Sequence, residues 1–241
     1  MAKEKFGGAG EKYQGFTAKA EEWFVHKVTP YVPKFIETYH LTYSTILWSV
    51  LIVVSGFLAM QNIQWLWVAA VCVFLQYVTD LLDGAVGRYR KTGLIKWGFY
   101  MDHFLDYIFL CSVLISYWFT LPDKYNLYLF FLLAIFGAFM VDAYLYFAAT
   151  NKFKITHLKF GPTEMRAVFI FVYILNIYAD RIFLSALLPY LFVFATLILI
   201  GGVYKNQQRV WKLDMKIKKE SLGSSAGSEP SGKLGTKQEE N

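Results

Sequence analysis

Cysteine is nearly absent from this chain of 241 residues: Cys72 and Cys111 are the only two, and both lie inside apolar segments. Two such thiols without CxxC spacing leave no disulfide framework and no cysteine zinc site, so they read as packing residues. Charge is missing from the long runs Thr45 to Met60 and Phe130 to Val141. The N-terminus is polar from Met1 to Gly15 and lacks the apolar core of a signal peptide, which predicts entry into a membrane through a retained first span. No internal repeat is visible.

What is present in excess is apolar surface. Hydrophobic residues make up 56% of the chain and aromatics 19%, more than a soluble core of this length requires. The excess is gathered into uncharged runs that water does not tolerate exposed and a bilayer requires. The fold class expected is an all-α integral membrane protein with six transmembrane helices. The spans run approximately from Leu41 to Gln61, Ile63 to Arg90, Leu94 to Phe119, Tyr125 to Thr150, Thr163 to Tyr178 and Ser185 to Tyr204. Ahead of them, Trp23, Phe24, Lys27 and Tyr31 recur at helical spacing within Thr17 to Phe35, as in an amphipathic helix lying in the head-group plane. Pro30 and Pro33 would kink or end it. The organisation predicted is a segment 1–40 with this interfacial helix, a catalytic membrane domain 41–204, and a basic, largely disordered tail 205–241, rich in Gly and Ser from Ser221.

The formal net charge is +6, and the basic residues flank apolar runs, which points to anionic lipid head groups and away from nucleic acid. With the N-terminus inside, the cytoplasmic segments hold every lysine and arginine except Lys124 and Arg181. That asymmetry predicts a multi-pass protein with both termini on the cytoplasmic side.

The informative stretch is Asp80-Leu-Leu-Asp83-Gly84-Ala-Val-Gly87-Arg88, followed by Gly98-Phe-Tyr-Met-Asp102-His103-Phe-Leu-Asp106. Asp80 and Asp83 are three apart, and Asp102 and Asp106 four apart, so each pair shares a helix face. The short basic link from Tyr89 to Lys96 makes the two helices antiparallel neighbours whose acidic faces can meet at the inner side of the membrane. Even one carboxylate at membrane depth costs ~2.5–3.5 kcal/mol on insertion scales. Oxygen-only ligands favour Mg²⁺, Mn²⁺ or Ca²⁺ over zinc, and two such ions would neutralise four charges and could clamp a diphosphate. Gly84 permits close approach beside a ligand, Gly98 opens the following helix one turn before Asp102, and Arg88 supplies a planar fork for phosphate oxygens. The competing reading is a salt-bridged turn in which Asp80, Asp83, Arg88 and Arg90 pair. It explains one or two of the carboxylates but not four at these spacings.

The pattern resembles the signature of the CDP-alcohol phosphatidyltransferases, D-x2-D-G-x2-A-R then G-x3-D-x3-D. Here it is carried by Asp80, Asp83, Gly84, Arg88, Gly98, Asp102 and Asp106, with nine residues between Arg88 and Gly98 and with Gly87 in place of the usual alanine. The resemblance implies that Asp80, Asp83 and Asp102 ligate a two-metal centre (Mg²⁺ or Mn²⁺), which Asp106 completes or serves as base. It implies a CDP-linked donor with Asp83 and Gly84 near its cytidine, a lipid or polar alcohol acceptor, release of CMP, and a homodimer. His103 gives Asp-His-x-x-Asp, similar to the choline and ethanolamine phosphotransferase branch, although Phe104 stands where that branch has glycine. His103 is thus a second candidate base, set against a packing role because it points about 100° from Asp102. Gly161-Pro-Thr-Glu164-Met-Arg166 resembles a Glu-x-Arg element of microbial members, which makes Arg166 a candidate for an anionic group of the substrate. Positive-inside anchoring with capping by Thr163 and Glu164 explains it equally. Asp142, in the fourth span, could face an acceptor cavity or make a buried hydrogen bond, and Asp180 with Arg181 reads as a loop pair. Two other classes remain: a diphosphate-using membrane prenyltransferase, which typically places its Asp motifs on distant helices, and a small transporter, which would more often show repeated halves.

Overall fold

The computed structural model describes residues 17–151, 162–179 and 185–226. Gly161, Asp180 and Arg181 lie outside them, as do Lys3, Lys5, Lys12, Lys152, Lys154, Lys159, Lys233 and Lys237. The described chain is helical throughout: α1 (Ala18–Val28), α2 (Thr38–Leu58), α3 (Leu66–Arg90), α4 (Ile95–Thr120), α5 (Asn126–Thr150), α6 (Pro162–Tyr178) and α7 (Leu188–Ala226), with single 3-10 turns at Thr29–Tyr31, Ile63–Trp65 and Asp123–Tyr125.

Among the described residues, five helical stretches are long and apolar enough to cross a membrane: Thr38–Leu58, Ile63–Arg90, Ile95–Thr120, Asp123–Thr150 and Leu188–Leu222. The protein is an all-α, multi-span helical bundle. The expected fifth span corresponds to α6, whose 17 residues extend about 26 Å at 1.5 Å per residue, short of ~30 Å of hydrocarbon. Among the described residues, five of the six expected spans are thus long and apolar enough to cross.

The tail also differs from expectation. Residues 205–226, expected within a largely disordered segment, continue α7 as one helix of 39 residues. The reason is local. Between Lys205 and Leu222 the sequence has no Gly or Pro and many Lys, Gln, Arg, Leu and Met, and elongating a helix already nucleated in the membrane is far cheaper than starting one.

The core lies where α2, α3, α4 and α6 meet, with Ile52, Leu66, Ala69, Val73, Phe109, Val113, Tyr117 and Tyr173 buried in one cluster. α2 packs along both α3 and α4, α6 lies against α3, and α7 lies against α5. Small residues let the backbones close. A methyl on Gly56 would stand 2.6 Å from Ser116 Cα, so α2 and α4 touch there through the absence of a side chain.

The end of the bundle that carries the acidic motif is fixed by turns and one arginine. α3 stops at Lys91, in the left-handed region at φ 55°, and Gly93 at φ 75° completes the reversal into α4. Arg90 donates to the carbonyls of Val32 (2.9 Å), Pro33 (3.0 Å) and Ile36, and pairs with Glu37 at 3.6 Å. These contacts tie the segment before α2 to the end of α3. Glu37 then caps α2, its backbone N–H donating to His40 Nδ1 at 3.0 Å.

The Gly56 contact gives a first test. Gly56→Val is expected to destabilise the detergent-solubilised protein by about 1–3 kcal/mol, because a packed backbone contact has to part. Gly201→Val, on a face with nothing within 4 Å, is expected to leave stability unchanged. Thermal melting of both variants checks this.

Candidate metal centre and phosphate site

After the α3–α4 reversal, α2 packs along both helices, and their acidic side chains approach each other beside it. Asp80 and Asp83 project from one helix and Asp102 from the other, and each brings a carboxylate oxygen within 4.8 Å of the other two. Asp83 is 3% exposed, and its Oδ2 accepts from Thr42 Oγ1 of α2 at 2.9 Å. Asp80 and Asp102 are half-buried.

Asp106, the fourth carboxylate of the motif, stands outside this trio. Its Oδ1 accepts from Arg166 Nη2 at 2.9 Å, and the same nitrogen lies 3.0 Å from Asp80 Oδ2. Arg166 reaches in from α6 with its Nε donating to Gln76 Oε1 at 2.7 Å and its guanidinium carbon 5.9 Å from the Phe109 ring centre. The arginine is therefore bound to the motif carboxylates, and its other partners are an amide and an aromatic face.

The glycines have separate local roles. A methyl on Gly84 would stand 3.1 Å from Arg88 Nη1, so the exposed Arg88 side chain lies back across Gly84. A methyl on Gly87 would meet Thr38 Oγ1 at 3.1 Å. The glycine standing where alanine is usual thus lets the start of α2 lie close to α3, four residues before the Asp83 partner Thr42. Around Gly98 nothing lies within 4 Å, which leaves open space at the start of α4.

His103 is turned toward α5. Its Nδ1 is 2.5 Å from the Phe99 carbonyl, its ring packs edge-on to Tyr144 at 5.5 Å, and Tyr144 donates to the His103 carbonyl at 3.2 Å. On that side a cavity of about 820 Å³ is lined by His103, Tyr107, Gly137, Asp142, Tyr144 and Val203, among others. Asp142 both lines this cavity and accepts from Asn206 of α7 at 2.7 Å.

Gln76, Thr42, Tyr144 and Asn206 are the site neighbours that sequence reading missed. Gln76 alone had a legible signal: it is an amide in an apolar run, four residues before Asp80, and so on the same helix face. The other three lie on α2, α5 and α7 and have no local pattern.

The trio fits a hard divalent cation. Its donors are all carboxylate oxygens, the chemistry that Mg²⁺, Mn²⁺ and Ca²⁺ prefer, and its oxygens already converge from two rigid helices. A family model described as CDP-alcohol phosphatidyltransferase matches residues 39–201, from α2 into α7, and includes every residue of the acidic motif. No curated protein and no solved structure matches the chain.

If the trio holds a cation, Mg²⁺ or Mn²⁺ stabilises the folded protein by mass action, about 2.7 kcal/mol at a hundredfold excess over the dissociation constant. The melting temperature of the solubilised protein is expected to rise with added Mn²⁺, and Asp102→Asn is expected to erase most of that rise without preventing purification.

Proposed function

The chain belongs to the CDP-alcohol phosphatidyltransferase family, and from that premise we propose which of its residues perform the transfer. The reaction is of the family's type: a substituted phosphate group passes from a CDP-linked donor to an acceptor hydroxyl, and CMP is released. The observation that carries the residue assignment is the convergence of Asp80, Asp83 and Asp102 within 4.8 Å across the α3–α4 reversal.

In this reading the three carboxylates hold the cations, two of them with Asp106 completing the set. Bound there, Mg²⁺ or Mn²⁺ supplies charge neutralisation at the donor diphosphate. Thr42 fixes the rotamer of Asp83. Asp83 and Gly84 stand at the cytidine, and Gly98 leaves room at the mouth. Arg88, exposed and folded across Gly84, swings to the diphosphate oxygens, for which its planar fork is suited. Asp106 takes the proton of the acceptor hydroxyl. The acceptor oxygen then forms its bond to phosphorus as the bond from phosphorus to the CMP oxygen breaks.

The finer topology belongs to the same reading. α6 serves as a sixth, short span, α1 lies along the head groups, and both termini and the acidic end face the cytoplasm, as the distribution of basic residues implies. A homodimer is included, supported by the exposed apolar residues Phe104, Phe130, Val141 and Leu145 on α4 and α5. A second copy would cover them as readily as lipid.

The test is a panel of acceptors offered with a CDP-diacylglycerol and with CDP-choline or CDP-ethanolamine, with CMP release and lipid products scored together. Turnover is expected to stop in excess chelator and return with Mg²⁺ or Mn²⁺. Full turnover in chelator would sink the metal assignment. Asp106→Asn is expected to lower turnover by 10²–10⁴-fold, as loss of a general base does. His103→Ala is expected to cost little turnover. Equal loss in the two, with metal and donor still bound, would transfer the base to His103 and favour diacylglycerol as acceptor.

A further inference from the structure

Gln76 is fully buried in an apolar span, where an amide is costly unless it is hydrogen-bonded. Its Oε1 accepts from Arg166 Nε at 2.7 Å, whereas its Nε2 has no hydrogen-bond partner among the described residues. A guanidinium only donates, so chemistry fixes which end of the amide faces it. Packing alone would be better served by leucine or methionine. What the amide provides is a fixed acceptor for one arginine nitrogen.

Arg166 is 5% exposed, and its Nη2 bridges Asp80 Oδ2 at 3.0 Å and Asp106 Oδ1 at 2.9 Å. Asp80 therefore has two claims on it. It belongs to the carboxylate trio with Asp83 and Asp102, and it is also the partner of a buried guanidinium. A divalent cation entering the trio and Arg166 would draw on the same carboxylate. Two positive groups a few ångströms apart, with little water between them, repel strongly.

We propose that Arg166 is the exchangeable counter-cation of this site and that Gln76 is the positioning residue that holds it in place: in the cation-free protein the guanidinium neutralises Asp80 and Asp106, and when a divalent cation takes Asp80 it leaves that carboxylate for a phosphate oxygen of the substrate. The inference rests on the phosphotransfer reading above and deepens it, since it gives the cation-free site a defined state. A guanidinium fork matches phosphate oxygens as well as it matches carboxylates, so the same group serves both positions. The Gln76 bond belongs to the first position only. Removing it without changing charge tilts the exchange toward the divalent cation.

The experiment titrates the full-length detergent-solubilised protein with Mn²⁺ alone and reads free Mn²⁺ by electron paramagnetic resonance. Gln76→Met conserves volume and charge and is expected to bind Mn²⁺ about tenfold more tightly than wild type, the factor that one hydrogen bond to a charged group is worth. Arg166→Lys keeps the charge but loses the Nε donor and the fork, and it is expected to shift the same way, so it carries the test if Gln76→Met does not fold. Melting temperature supplies a second readout. Gln76→Met is expected to lower it in the Mn²⁺-free protein and to leave the Mn²⁺-loaded protein near wild type, whereas a merely structural glutamine would lower both equally. Unchanged or weaker Mn²⁺ binding in the folded variants overturns the exchange while leaving the metal reading intact. A wild-type protein that binds no Mn²⁺ overturns the metal reading, and the exchange with it.

Discussion

Four carboxylates gathered at one end of an apolar bundle have to be neutralised, and most of the architecture around them follows from that requirement. α3 is the hub. Its middle turns present Gln76, Asp80 and Asp83, and three other helices each bring something for those groups: Thr42 from α2, Asp102 from α4 and Arg166 from α6. Around α2 the packing depends on close backbone approach. Gly87 against Thr38 and Gly56 against Ser116 provide it on the two sides of α2. Arg90, tying the segment before α2 to the end of α3, sets the register in which Thr42 meets Asp83. Packing and chemistry are thus one construction, and a change in helix spacing at α2 is felt by a prospective metal ligand.

The neutralisation is uneven, and the unevenness is informative. Asp106 and Asp80 share a guanidinium, whereas Asp83 has a hydroxyl donor. A hydroxyl stabilises a carboxylate without cancelling its charge. The trio therefore retains excess negative charge beside the buried guanidinium of Arg166, at a depth where charge is expensive. Hard divalent cations relieve that imbalance, and a diphosphate substrate then meets a site of the right sign.

What the sequence made legible was local. The three- and four-residue spacings put Asp80 with Asp83 and Asp102 with Asp106 on common helix faces, and with only a short basic link between the two helices the meeting of three carboxylates could be read from 27 residues, 80 to 106 inclusive. What stayed illegible was carried by long-range packing. Arg166 stands 60 residues from Asp106 and 90 from Gln76, and nothing in either neighbourhood announces that they bond. The same limit hid Asn206 behind Asp142. The extent of α7 was misread for a different reason. Polarity was taken as a sign of disorder, but Lys, Gln and Arg are good helix formers, and a helix already begun in the membrane needs no apolar face to continue through them.

Adjacency in sequence also misleads at His103. One step along α4 turns a side chain by about 100°, so Asp102 joins α3 while His103 packs on Tyr144 of α5 beside the cavity that holds Asp142. α4 thus carries two polar faces, an acidic one inside the bundle and an imidazole one at the cavity. An acceptor entering through that cavity meets His103, Tyr144 and Asp142 before it meets any carboxylate of the trio. The cavity walls are mainly aliphatic and aromatic, among them Leu133, Met140 and Val203, and suit an apolar body with a polar end. The route by which the acceptor arrives therefore decides what His103 can do: from the cavity it is one of the titratable groups encountered, with Asp142 and Tyr144, and from any other side it is a packing residue that holds α4 against α5.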